Sequence, residues 1–171
     1  MDNIFLFLRT IQYLKLKQVI YRLFYSFRYK YRRFVRFKYK YNLYRKGKPL
    51  NFIEFIPSNK TYSSNTFTFL NKSVSFSDSI DWDYMDNGKL WAYNLNYFDF
   101  LNQKDMLNEI GQALMYLFID QIRDLKNANE PYPISLRGIN WVKFLSEHNI
   151  EKKSFDRYLY SQYRILLDQL E

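Results

Sequence analysis

The chain has 171 residues, 47% of them apolar and 25% charged, which places it among globular proteins of about one domain and excludes a disordered or fibrous chain. It has no cysteine and one histidine, His148, so disulfides, thiolate metal sites and any mechanism needing two imidazoles in one copy are excluded, and no cofactor is implied. The formal charge of +9 is concentrated: residues 1–48 hold fourteen Lys or Arg against Asp2 alone, while the remainder holds twelve basic and sixteen acidic residues, so a basic arm precedes a mildly acidic body.

Three segments follow from this division: a basic aromatic helical arm over 1–48, an irregular segment with a hairpin over 49–104, and antiparallel helices over 105–171. In the arm, Ile4, Phe5, Leu8 and Ile11 recur at helical spacing, and Leu16, Val19, Ile20, Leu23, Phe24 and Phe27 do so in a shifted phase. Two helices with a bend near Leu14 to Leu16 fit that pattern. The stretch FRYKYRRFVRFKYKY, residues 27–41, alternates like a strand in part, but no turn residue intervenes before Gly47, and helix is the expectation. The short apolar run after Asp2 is broken by Arg9 and lacks a small-residue cleavage site, so a secretory signal is not expected and the default compartment is cytoplasmic. No stretch reaches the roughly 18–20 uncharged apolar residues of a membrane-spanning helix.

Gly47 to Pro49 ends the arm, and residues 57–64 read as loop. Residues 66–70 and 74–76 form a short hairpin around Asn71, Lys72 and Ser73. Residues 81–101, DWDYMDNGKLWAYNLNYFDFL, combine Trp, Tyr, Asn and Asp. Aromatic faces stack on sugar C–H faces while amides and carboxylates bond hydroxyls, so the segment suits a carbohydrate cleft. It equally suits a core filled by aromatics, and composition alone favours the core.

From residue 107 one long helix is expected, with Leu107, Ile110, Leu114, Leu117, Phe118, Ile122 and Leu125 on one face and Asp105 as cap. Pro131 and Pro133 read as an extended link. Ser135 then caps a helix turning Leu136, Ile139, Val142 and Leu145 inward, which leaves Arg137, Asn140 and Trp141 together on the opposite face. Guanidinium, amide and indole side by side could hold an anionic sugar, or Arg137 could tie a neighbouring helix while Trp141 fills the core. Ser154 starts a last helix with Phe155, Leu159, Leu166 and Leu170 on its apolar face and no capping residue after LLDQLE. His148 reads as a residue at a helix end, with no Ser, Cys or carboxylate at catalytic spacing.

The segments LRTIQYLKLKQVIYRL (8–23), FTFLNKSVSF (67–76), IDWDY (80–84), GKLWAYNLNYFDFL (88–101) and EPYPISLRGINWVKFL (130–145) together resemble, in order, the N-terminal part of the heparinase II/III-like polysaccharide lyases. The resemblance implies a mainly α fold, the N-terminal part of an α/α-toroid with a small β-hairpin. It also implies β-elimination on uronate polysaccharides of the alginate or heparan sulfate type. A Gly-Asn-His motif that neutralises the uronate in such enzymes would follow residue 171, so the expectation is a truncated lyase without a complete catalytic set. The expected saccharide-contacting residues are Arg137, Asn140 and Trp141, with Asn96, Tyr97 and Tyr132. The expected partners are an anionic polysaccharide and either the missing C-terminal part of the lyase or a second copy covering the last helix. The alternative is a basic polyanion- or nucleic-acid-binding module, in which the arm neutralises phosphates and stacks bases.

Overall fold

The computed structural model describes residues 15–48, 50–51 and 54–169, and it is mainly helical with one small antiparallel sheet. The expected first helix over Ile4 to Ile11, its bend at Leu14, and Leu170 lie outside the described residues. The chain divides at Tyr39 and Lys40 into two compact units.

Within the first unit, helix α1 spans Leu16–Phe34. The Gln18 side chain accepts the Lys15 N–H at 2.8 Å, and Arg32 and Arg33 lie in the last turn, where cations suit the helix dipole. The helix stops earlier than its periodicity predicts. Arg36 has a φ of 50°, and the chain reverses so that Phe37 and Tyr39 fold back on Arg32. The guanidinium sits 4.4 Å from the Phe37 ring centroid and donates to the Tyr39 hydroxyl at 3.2 Å. That local aromatic clamp, absent from any periodicity count, ends the helix.

The second unit carries a three-stranded meander: β1 (Tyr62–Ser63), β2 (Thr66–Phe69) and β3 (Lys72–Ser75). β1 falls in the expected loop. Both connections are two-residue turns with positive φ at each central position, Ser64 and Asn65, then Leu70 and Asn71. Such primed turns match the twist of paired strands. Phe67 pairs with Val74 and turns inward, while Thr66–Ser75 and Thr68–Ser73 exchange hydroxyl hydrogen bonds on the outer face at 2.8 Å. Gln103 fastens the sheet to the helices: its Oε1 accepts the Thr61 and Tyr62 N–H groups, and its Nε2 donates to the Tyr62 carbonyl.

Helix α2 (Lys89–Tyr97) leads into a 3-10 turn at Asp99–Asn102, followed by α3 (Asn108–Gln121), a 3-10 turn at Asn127–Asn129, α4 (Pro131–Glu147) and α5 (Lys153–Gln169). Asp105 does not cap α3. It pairs with Lys60, and Leu107 takes the extended N-cap position. The α3 core face is Gly111, Leu114, Met115, Phe118 and Ile122, whereas Leu107, Ile110 and Leu117 are exposed.

Trp82, Trp91, Phe98, Phe118 and Trp141 are all fully buried, so most of the aromatics of residues 81–101 fill a core. Phe98 is the hub, stacked on Trp82 at 5.0 Å and edge-on to Phe118 and Trp141. It holds a φ of 58°, costly by about 1–2 kcal/mol for a bulky residue, and the surrounding rings offset that cost. α5 buries Phe155, Tyr158, Ser161, Gln162 and Ile165, leaving Leu159 and Leu166 partly covered, so its apolar face is not bare as expected.

Candidate functional site

The expected extended link at Pro131 and Pro133 is instead the first turn of α4, with Glu130 at its N-cap. Proline has no N–H to lose where the first helical N–H groups lack partners anyway, so this is where a helix tolerates it. Ser135 is accordingly not the cap; its hydroxyl donates to the Tyr132 carbonyl at 2.8 Å.

This shift does not alter which residues share a face, but packing decides which face turns in. Ile134, Arg137, Asn140, Trp141, Phe144 and Leu145 are buried, while Ile139 is exposed and Leu136 and Val142 are half-covered. The expected inward set is largely outward, except for Leu145. Arg137 is only 1% exposed. Its guanidinium donates to the carbonyls of Asn96 at 3.1 Å and Ala128 at 2.9 Å and to Gln162 Oε1 at 2.6 Å, and it lies 4.7 Å from the Phe118 ring centroid. Burial lowers its pKa, and the Tyr158 hydroxyl next to it counteracts that shift. Asn140 donates to the Tyr97 carbonyl at 2.9 Å. Arg137 and Asn140, one helical turn apart on α4, therefore satisfy successive carbonyls at the C-terminus of α2, where a cation is favoured by the helix dipole.

Asn96 is consumed in the same scaffold, donating to the Trp82 and Ala92 carbonyls at 2.8 Å. Trp141 packs between Phe98 and Tyr158. Four of the six sequence-derived contact residues, Arg137, Asn140, Trp141 and Asn96, are thus buried and internally employed. Asp83 likewise accepts the N–H groups of Lys126 and Asn127 instead of facing a cleft.

Tyr97 and Tyr132 are brought together at a surface. Their ring centroids are 5.5 Å apart, and Tyr93 completes a triangle at 6.3 Å from Tyr97 and 6.2 Å from Tyr132. Tyr132 is 57% exposed. The Tyr93 hydroxyl donates to Glu130 Oε2, and Lys89 Nζ bonds Glu130 Oε1 at 2.9 Å and lies 5.2 Å from the Tyr93 centroid. Sequence reasoning missed Lys89, Tyr93 and Glu130. The signal was present: Lys89, Tyr93 and Tyr97 recur every four residues, which aligns them along one face of α2.

The electrostatics of this cluster are coupled. Burial alone would raise the Glu130 carboxyl, but the Tyr93 hydroxyl and the Lys89 ammonium hold it below the ordinary carboxylate value. Burial and then the adjoining Glu130 raise Tyr93. Burial, followed by the neighbouring Tyr132 and Tyr93, pushes Tyr97 well above the ordinary phenol range. The Tyr97 hydroxyl is buried and meets no hydrogen-bond partner. These phenols therefore serve as donors and stacking faces at neutral pH, not as proton acceptors.

A recess between α4, α5 and the chain at Gly47 is lined by Lys48, Ser146, Glu151 and Asp156. Its carboxylates suit an anionic ligand poorly. His148 caps the C-terminus of α4 against the Phe144 ring at 4.7 Å. Among the described residues, no group of three or more His, Asp or Glu is placed to hold a metal ion, and no helix is long and apolar enough to cross a membrane.

Comparison with protein families, curated proteins and solved structures finds no match for this chain.

Proposed function

We propose that this chain forms part of a heparinase II/III-like lyase acting on uronate-containing polysaccharide, and that it supplies a saccharide-contacting wall and not the elimination chemistry. The observation that carries this reading is the Tyr93, Tyr97 and Tyr132 cluster beside Lys89 and Glu130, in which the exposed Tyr132 ring offers a stacking face next to a paired cation and carboxylate. Sugars are bound by that pairing of apolar face and directed polar group. Lys89 adds a cation able to meet a uronate carboxylate once Glu130 reorients or is displaced.

The resemblance of residues 67–76, 80–84, 88–101 and 130–145 to the lyases supports the choice of substrate class. An α/α-toroid accounts for the outward apolar positions Leu107, Ile110 and Leu117 on α3 and Leu167 on α5, which further helices of such a ring would cover. Short connections between consecutive helices, as between α4 and α5, suit the antiparallel stacking of that architecture. Elimination needs a base to take the C5 proton and a group to neutralise the carboxylate. With Tyr93 and Tyr97 held protonated and His148 at a helix end, the expectation is binding without turnover.

The test is calorimetric titration with alginate and heparan sulfate oligosaccharides, run beside an absorbance assay for unsaturated uronate. Binding that Tyr132→Ala weakens, with no rise in absorbance, is the expected result. Absence of binding to any uronate oligosaccharide overturns the reading, and robust turnover overturns its division of labour.

A further inference from the structure

Helix α1 has no buried residue, although it is rich in large apolar side chains. At 100° per residue, Leu16, Ile20, Leu23, Phe24, Phe27 and Phe34 fall in one stripe, and each is between 55% and 85% exposed. None of the six basic residues in the helix falls inside that stripe; Lys17 and Lys30 border it, and Arg22, Arg28, Arg32 and Arg33 occupy the flanks and the opposite face. That polar side is organised: Tyr21 and Tyr25 stack at 6.3 Å, Lys17 lies over Tyr21 and Arg28 over Tyr25. No Asp or Glu occurs between Asp2 and Glu54.

We propose that α1 docks in the plane of an anionic lipid surface, its Leu, Ile and Phe stripe in the acyl boundary and its Lys and Arg residues among the headgroups. This inference is independent of the saccharide reading, which concerns the second unit. The chemistry selects the partner in two steps. A nucleic acid or free polysaccharide would use the cations but leave the stripe in water, so an apolar phase is required. A second copy would supply the apolar face but set one acid-free basic helix against another, which like charges oppose. A bilayer with anionic headgroups satisfies both faces at once. Phe and Tyr on such a helix suit the interfacial zone, and long basic side chains can extend from the apolar boundary to the headgroups.

The test uses the full chain with F27W as reporter. Trp82, Trp91 and Trp141 are fully buried, so the new indole alone starts in water and shifts to the blue if it enters an apolar phase. The expected result is a blue shift with phosphatidylcholine–phosphatidylglycerol vesicles that is much weaker with phosphatidylcholine alone. Adding R22Q and R33Q is expected to lower vesicle affinity about fivefold for each charge removed. Placing L23S beside the reporter is expected to reduce binding while far-UV circular dichroism of the second unit's helices is unchanged. A blue shift on raising protein concentration without vesicles identifies a second copy and overturns the proposal. So does binding to heparin or duplex DNA with no shift on vesicles, and so does no shift under any condition.

Discussion

Arg137 Nη1 donates to the Asn96 carbonyl at 3.1 Å, which sets a fully buried guanidinium at the C-terminal end of a helix other than its own. The other arm of the same group reaches the Ala128 carbonyl and Gln162, so one side chain on α4 joins α2, the 3-10 turn at Asn127–Asn129 and α5. Arg137→Met keeps much of the volume but leaves these acceptors unpaired in the core. We expect a loss of about 2–5 kcal/mol by urea denaturation. Gln162→Ala alone should cost about 1.5–3 kcal/mol. A double-mutant cycle should return a coupling of at least ~0.5 kcal/mol, and strict additivity would remove the network.

Two glycines of the core differ in what a methyl group would meet. A Cβ at Gly111 runs into the ring of Phe144, which is buried and enclosed, so Gly111→Ala should destabilise by about 1–3 kcal/mol. A Cβ at Gly138 meets the ring of Tyr163, an exposed side chain on α5 that can turn outward. There the better helix propensity of alanine offsets the displacement, and thermal melting should place Gly138→Ala within ~1 kcal/mol of the parent.

The tyrosine cluster separates stability from binding. Tyr97→Phe removes a buried hydroxyl with no partner, so stability should hold or rise by up to about 1 kcal/mol. Because that hydroxyl is shielded from solvent, the same variant should bind uronate oligosaccharides like the parent. Tyr132→Ala should weaken binding while leaving the melting temperature nearly unchanged. Equal losses of stability and binding in both variants would make the cluster a packing feature only.

Acid should act through Glu130. Its folded-state pKa is depressed by Tyr93 and Lys89 against the opposing effect of burial, so its stabilising contribution is present above the unfolded carboxylate pKa. That contribution is lost as pH falls through the lower folded value. Glu130→Gln should therefore flatten the acid limb of a stability-versus-pH profile and leave the slope near neutrality unchanged. An unaltered acid limb would place the cluster's pairing outside the stability balance.

Leu70 occupies the first position of the β2–β3 turn with a φ of 53°, a conformation that suits Asn and Gly better than a γ-branched side chain, and it is exposed. Leu70→Asn should stabilise by about 0.5–1 kcal/mol, measured as a raised urea midpoint with constant slope.

Residue types and spacing alone determined that the chain is mostly helical, that a hairpin follows the arm and that two helices of the second half begin near residues 108 and 153, because those features are local and periodic; the helix between them, expected to start at Ser135, starts at Pro131. The division of charge between arm and body was equally legible, since it is a count. Which face of α4 turns inward was not. Leu136, Ile139 and Val142 are the more apolar set, yet Arg137, Asn140 and Trp141 are buried, because the C-terminal carbonyls of α2 needed donors and the Phe98 hub needed a large ring. The end of α1 was decided by Arg32 closing on Phe37 and Tyr39. The tyrosine site exists only where α2 meets the start of α4, so its members, though evenly spaced within α2, acquire a common surface through a contact between Tyr97 and Tyr132 that no single helix encodes.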